Sequence, residues 1–360
     1  MSSNSKKFSI LESQIFFSFI SILLGLLVGS VVLVVSGINP LEAYKALIDG
    51  TLGDIKYIAW VIIRATPLIL TGLSIAFAFK TGLFNIGAEG QFLIGALVAT
   101  IVGVNLDLPA ILQVPITIFF GMLGGAVWGG IAGFLKSKFG INEVIVTIML
   151  NWIAFYTNNM IVRTPLIGQN GSESSLSINS GSSLRIDFLR ETLGPSVRVN
   201  WGIFIVIIVV FIVAFILFKT TLGFELRAVG FNKFGAEYAG INVEMSIFKS
   251  MAIAGAIAGL AGTLQVMGVS QNITVLAAPE GYGFDGIAVA LIANSSPIGV
   301  IFSGLLFGLF KYGGSKMQSA VGAPSEIINI VIGSIIYFIA LSNVVKYFVL
   351  KLISKKGGNA

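Results

Sequence analysis

The sequence contains neither cysteine nor histidine, and only 11% of its residues are charged, against roughly 25% in an ordinary soluble domain. The missing cysteines exclude disulfides and thiolate chemistry. The missing histidines exclude imidazole bases, and together the two gaps remove the usual transition-metal sites. A Walker A sequence is absent as well, since Gly-Lys-Ser/Thr never follows a suitably spaced glycine; nucleotide phosphates therefore find no cradle in this chain. Acidic residues sit mostly at the ends of apolar runs, and no two form an evident pair inside one, so an enzyme reading has little support.

What remains is apolar, with 56% of residues hydrophobic. A bilayer core about 30 Å thick calls for helices of about 20 apolar residues. Ten candidate spans follow, at 15–37, 57–79, 86–104, 110–135, 143–162, 200–218, 246–269, 284–294, 297–312 and 325–349. The expected fold is an all-α polytopic membrane helix bundle, one integral membrane domain over 1–360. The eighth and ninth spans meet at Ser295-Ser296-Pro297, and fusing them would leave nine. The first run is too long for a signal-peptide core and lacks a small-x-small cleavage site, so it reads as a retained span.

The net charge of +6 is scattered through short loops rather than gathered into a stripe, which points to membrane topology and away from nucleic acid. With ten spans and a cytoplasmic N-terminus, the inner side collects Lys6, Lys7, Lys80, Lys136, Lys138, Lys219, Arg227, Lys233, Lys249, Lys346, Lys351, Lys355 and Lys356. The outer side holds Lys45, Lys56, Arg163, Arg185, Arg190, Arg198, Lys311 and Lys316, four of them in one long outer loop, 163–199. Both termini are then cytoplasmic. A repeat points the same way: Gly82 to Gly87 resembles Gly283 to Gly286, and Gly140 to Val146 resembles Gly322 to Asn329, matching spans two to five with seven to ten as inverted copies.

Gly121, Gly125, Gly129 and Gly133 recur every fourth residue and form a flat ridge for close helix packing; Gly255, Gly259 and Thr263 repeat the device. Gly281-Tyr-Gly283-Phe-Asp-Gly286 fits a dinucleotide fingerprint by spacing but lacks the preceding strand. Arg64 lies within a span, either functional or snorkelling to the interface. Glu89, beside Gly90 and Gln91, is either a pathway residue or a helix N-cap. Thr147, Asn151 and Asn158 share one helical face, which either lines a polar pathway or bonds neighbouring helices.

The inner loop, 219–245, offers a short amphipathic helix with Phe231, Phe234 and Tyr238 at i, i+3 and i+7 between Gly230 and Gly240. Such a stripe either packs on the protein's own inner face or docks into a groove of a motor protein.

Five segments resemble the permease subunits of ABC importers for nucleosides and simple sugars, a broad family that also includes branched-chain amino-acid permeases. They are Thr66 to Leu73, Phe77 to Gln91, Asn142 to Met149, Gly223 to Gly230 and Gly283 to Leu291, and Phe84 to Gln91 with Gly223 to Gly230 is similar to the nucleoside branch in particular. The resemblance implies a bacterial cytoplasmic (inner) membrane importer with two permease subunits, an ABC ATPase carrying two nucleotide-binding domains, and an extracytoplasmic substrate-binding lipoprotein. ATP and Mg would sit on the ATPase, with no cofactor on this chain. Glu225, Arg227, Gly230, Phe231, Phe234, Tyr238 and Gly240 would lie in the coupling segment. Asn85, Glu89, Gln91, Thr147, Asn151 and Asn158 are the pathway candidates. The rival class, an ion-driven secondary transporter, should carry mid-span acids or histidine.

Overall fold

The computed structural model describes residues 14–169, 171–194, 196–342 and 344–347. Lys6, Lys7, Lys351, Lys355 and Lys356 of the inner-side charges fall outside that set, as do the last two positions of the expected tenth span. Among the described residues the architecture is helical, with isolated β-bridges in place of any named strand. The chain divides into two compact units, 55–309 and the combination of 1–54 with 310–360.

The larger unit begins with α3 (Ile55–Phe79), α4 (Ala88–Asn105), α5 (Ala110–Phe139) and α6 (Glu143–Val162). After the loop containing α7 (Asp187–Leu193) come α8 (Gly202–Lys219), the short α9 (Thr221–Phe231) and α10 (Lys233–Tyr238), α11 (Val243–Gln265) and α12 (Tyr282–Ile292). α13 (Pro297–Val321) starts in this unit and ends in the other, which also holds α1 (Gln14–Val35), α2 (Pro40–Leu52) and α14 (Ser325–Ala340).

Local chemistry sets the boundaries. Gly140 ends α5 at φ 65°, Lys136 and Lys138 face the negative helix terminus, and the Asn142 side chain caps α6 by accepting from Val144 N at 2.9 Å. Asn242 caps α11 in the same way. The Lys136–Glu143 ion pair, at 2.7 Å, ties the two helices across that turn.

α3 from Ala65 to Ala78 and α11 from Ala254 to Leu264 are uncharged, apolar on most faces and largely buried. By contrast, α8 presents Phe204, Ile208, Phe211, Ile212 and Phe215 outward, a lipid-compatible face. The glycine ridge of α5 meets that of α11. A Cβ at Gly125 would lie 2.7 Å from Gly259 Cα, one at Gly255 would lie 3.1 Å from Gly129 Cα, and one at Gly133 would meet Met251 Cβ at 2.8 Å. At Gly121 the obstructing atom is the Thr263 hydroxyl. These backbones touch because nothing stands between them.

Among the described residues, seven helices are long and apolar enough to cross a membrane: α3, α4, α5, α6, α8, α11 with its π-helical extension Val266–Ser270, and α13. The first, eighth and tenth expected spans correspond to shorter apolar helices, Ile20–Val35, Tyr282–Ile292 and Ser325–Ala340. The eighth has only 11 residues, roughly 16 Å at 1.5 Å per residue, about half the hydrocarbon thickness. Asn294 and Ser295, at φ 50° and 51°, break the chain between α12 and α13, so the two are separate helices.

Two expectations need correction. The ninth span, expected to end at 312, runs on to Val321, so Lys316 lies within α13 as Lys311 does; the Lys316 ammonium packs 5.5 Å from the Tyr312 ring centre, as a long cation near a helix end can. The inner loop is not one amphipathic helix through 231–238. Asn232, at φ −158° and ψ 108°, ends α9 and caps α10 by accepting from Gly235 N at 3.0 Å, which places Phe231 on one helix and Phe234 and Tyr238 on the next.

A Gly125→Leu substitution should lower folding stability by at least about 1–3 kcal/mol, the usual cost of overpacking. Gly333→Ala, where a Cβ meets nothing within 4 Å, should be close to neutral. Thermal unfolding of the two variants in detergent compares them.

Candidate functional site

In the first turn of α4, Glu89 is 5% exposed, and its carboxylate accepts from Gly281 N at 2.7 Å and Gly283 N at 2.6 Å. It does serve a helix N-terminus, but that of α12 instead of its own. This also accounts for the glycine pattern at 281–286. The N–H groups that a phosphate would occupy are held by a side chain, which complements the positive end of the helix. Gly283 has to be glycine, because a Cβ there would come within 2.5 Å of Glu89 Cα. The Thr71 hydroxyl donates to Tyr282 O at 2.9 Å, and the Arg64 guanidinium donates to the Tyr282 hydroxyl at 3.2 Å. The Tyr282 ring sits 5.2 Å from that of Phe92. Arg64 therefore turns toward α12, with its guanidinium 5.9 Å from the Trp60 ring centre.

Between α11 and α12, residues 271–281 have no regular structure. Irregular backbone needs partners for its N–H and C=O groups, and two asparagines of α6 hold this stretch. Asn158 Nδ2 donates to Thr274 O at 3.1 Å. Asn159 pairs both ways with Leu276, donating to its carbonyl at 2.9 Å and accepting from its N–H at 2.9 Å. The loop 163–199 covers the same end, with Ser175 N bonded to Ile273 O and Ile178 N to Gln271 O, both at 2.8 Å. Arg185 and Arg198 donate to Val269 O at 2.7 and 3.0 Å, cations at the negative end of α11.

Two neighbouring cavities open beside this segment. One, of about 190 Å³, is lined by Glu89, Asn151 and Glu280 among the aromatic side chains of Phe92, Trp152, Phe155 and Phe284. The other, of about 100 Å³, is lined by Asn158, Gln265, Ser270, Asn272 and Thr274. Both share Phe92, Leu93, Leu276 and Glu280. Glu280 is an exposed residue on the wall of both cavities; the protein packed around its carboxyl raises it from 4.5 to about 7 by desolvation, with the Glu89 charge adding to the rise and Arg64 opposing it.

The six pathway candidates thus separate. Glu89, Asn151 and Asn158 line the cavities. Asn85 and Gln91 are buried and bond each other, Nδ2 to Oε1 at 2.9 Å and Nε2 to Oδ1 at 3.1 Å. Thr147 is buried with its hydroxyl on Glu143 O at 2.7 Å. Sequence reasoning missed Glu280, Phe92, Trp152, Phe155, Phe284 and Asn159. The one available signal was an acid flanked by Pro279 and Gly281 between apolar runs.

At the 219–245 segment, α9 buries Leu226 and Val229. Gly230 backs onto Lys80 and Thr81, where a Cβ would lie 3.0 Å from the Thr81 carbonyl carbon. Arg227 stacks 5.4 Å from the Phe218 ring centre, and Gly240 turns the chain at φ 80°. Phe231, Phe234 and Tyr238 are 89%, 84% and 97% exposed.

Residues 57–340 match the family described as branched-chain amino acid transport system / permease component. The chain is 42% identical to the guanosine ABC transporter permease protein NupP of Bacillus subtilis, over 96% of this chain and 99% of that one. It is 37% identical to the nucleoside ABC transporter permease protein NupB of Lactococcus lactis, over 95% and 94%. With the glucose ABC transporter permease protein TsgB13 of Haloferax volcanii the identity is 32%, over 94% and 90%. No solved structure matches.

Glu89→Gln, with one acceptor oxygen where the carboxylate has two, should destabilise the chain by about 1–3 kcal/mol and speed hydrogen exchange at the Gly281 and Gly283 amides. For Glu280 the sign follows from its raised value. The folded protein holds a proton that the unfolded chain releases, so its contribution is full below about 4.5 and is lost as pH rises through about 7. Glu280→Gln should therefore melt higher than the parent at pH 8 and together with it at pH 4.

Proposed function

We propose, from the premise that this chain belongs to the family of branched-chain amino acid transport system permease components, that it forms half of the permeation pathway of an ATP-driven nucleoside importer. The observation that carries this reading is the 42% identity to a guanosine permease across nearly the full length of both chains. The aromatic cavity agrees with it, because stacking on aromatic rings suits a nucleobase. A simple-sugar importer is the second reading, favoured by the relative named as a glucose permease; four aromatic rings around one cavity suit a bare sugar less well.

On this reading the chain supplies no reactive group. A partner ATPase with two nucleotide-binding domains carries ATP and Mg, a second permease subunit completes the pathway, and an extracytoplasmic binding lipoprotein delivers substrate across the bacterial cytoplasmic membrane. Phe231, Phe234 and Tyr238, apolar and outward, are suited to a groove on the ATPase, with α9 seated against the inner end of α3. ATP-driven closure of the ATPase pair would pull on that contact and bias a two-state pathway from outward-facing to inward-facing. Both termini would be cytoplasmic.

Proteoliposomes holding the complete transporter should take up labelled guanosine and uridine only with ATP, and ribose poorly. Uptake of ribose in preference to nucleosides would favour the sugar reading, and uptake by this chain alone on an ion gradient would overturn both. Replacing Phe231 and Phe234 with Asp should abolish copurification of the ATPase while leaving membrane insertion intact.

A further inference from the structure

The two cavities beside Glu280 differ in chemistry in a way that matches the two halves of one molecule. The first, at about 190 Å³, falls below the ~300–1,000 Å³ of pockets that enclose whole ligands, yet its walls are the rings of Phe92, Trp152, Phe155 and Phe284. That wall suits a flat heterocycle. The second is smaller and of mixed polarity, with Asn158, Gln265, Ser270, Asn272, Thr274 and Glu280 beside an equal number of apolar residues on its wall, and the buried Oδ1 of Asn158 has no hydrogen-bond partner among the described residues. The orientation of this amide is fixed by its neighbours. Its other end lies 3.1 Å from Thr274 O and 3.2 Å from Asn159 Oδ1, both oxygens, so the NH₂ group faces them and the carbonyl oxygen is the end without a partner among the described residues. A buried acceptor without a donor is costly and is retained where something else supplies the donor.

Resting on the nucleoside reading above, we propose that the paired cavities are a two-part nucleoside seat within this chain, the aromatic part taking the base and the polar part taking the ribose hydroxyls. Glu280 lies on the wall common to both cavities, where its carboxyl group can accept from a cis-diol on one side or from a base N–H on the other. Every base offers a π-face, so the seat takes purine and pyrimidine nucleosides as a class. The other occupants match only half of it: an acyl chain leaves Glu280 unmet, water leaves the ring faces bare, and a free sugar leaves the aromatic part empty. Its position fits the general placement of transporter sites at interrupted helices, here the break between α11 and the short α12.

The test is equilibrium binding of labelled nucleosides to the assembled transporter in nanodiscs without the delivery protein, since that protein would impose its own selectivity. Guanosine should bind saturably, and 2′,3′-dideoxyguanosine at least about tenfold more weakly, the scale of losing hydrogen bonds to buried groups. Glu280→Gln should shrink that difference to below about threefold, and Trp152→Leu should weaken both compounds by about tenfold alike. Phe284→Leu, on the same wall, replaces Trp152→Leu should that variant fail to assemble. Absence of saturable binding, or parental discrimination in Glu280→Gln together with parental affinity in the wall variant, overturns the seat whenever proteoliposomes of the same transporter still import guanosine. Failure of that import instead overturns the nucleoside reading on which the seat rests.

Discussion

The Glu89 carboxylate, holding the Gly281 and Gly283 N–H groups at the start of α12, is the contact on which the site depends. α12 is too short to cross hydrocarbon, and a short helix has no depth of its own. A carboxylate on a well-buried neighbour gives it one, since the two hydrogen bonds and the helix dipole act together in a medium where charge interactions are poorly screened. Thr71 on α3 and Phe92 on α4 then hold Tyr282 on the backbone and ring sides. The segment 271–281 is left spanning from the end of the α11 π-turn to this anchored point, and the cavities are the space it encloses with α4 and α6.

Side-chain amides do for this segment what a helix does for its own backbone. Asn151 accepts from Gly90 N at 2.8 Å and donates to Ile86 O at 3.0 Å, satisfying the bend before α4. Seven and eight residues further along α6, Asn158 and Asn159 serve Thr274 and Leu276. One helix thus clamps two irregular stretches. Neutral amides suit the task because each supplies donor and acceptor without the desolvation penalty of a charge. The opposite face of α6, with Ile145, Met149, Ile153, Tyr156 and Met160, stays apolar and exposed.

Features set by local spacing were legible in the sequence, and features set by distant partners were not. A four-residue glycine period defines a groove wherever the helix ends up, so the α5 ridge could be read before its partner was known. The shared face of Thr147, Asn151 and Asn158 followed from helical geometry alone. The partner of Glu89 lies almost two hundred residues away and is a pair of backbone amides, which have no sequence signature. Asn85 and Gln91 carry the same polar types as Asn151, and nothing local reveals that they bond each other. Glu280 escaped because it belongs to a stretch without periodicity, where neither helix nor strand patterning assigns a face. The inner aromatic stripe fitted a helical period across 231–238, yet the capping chemistry of Asn232 outweighed it.

The helix interior and the site obey opposing packing rules. Along α5 and α11 every potential gap is removed by omitting side chains, which gives a rigid contact able to transmit displacement without repacking. Beside α12, large rings and the carboxyl groups of Glu89 and Glu280 surround space that the chain leaves unfilled. Filling that space with apolar side chains would be the stabilising solution, because it would cover the ring faces. A cavity kept open against that gradient, next to a half-length helix anchored at its first turn by Glu89, Thr71 and Arg64, is the combination expected of a part that must receive a ligand and then shift.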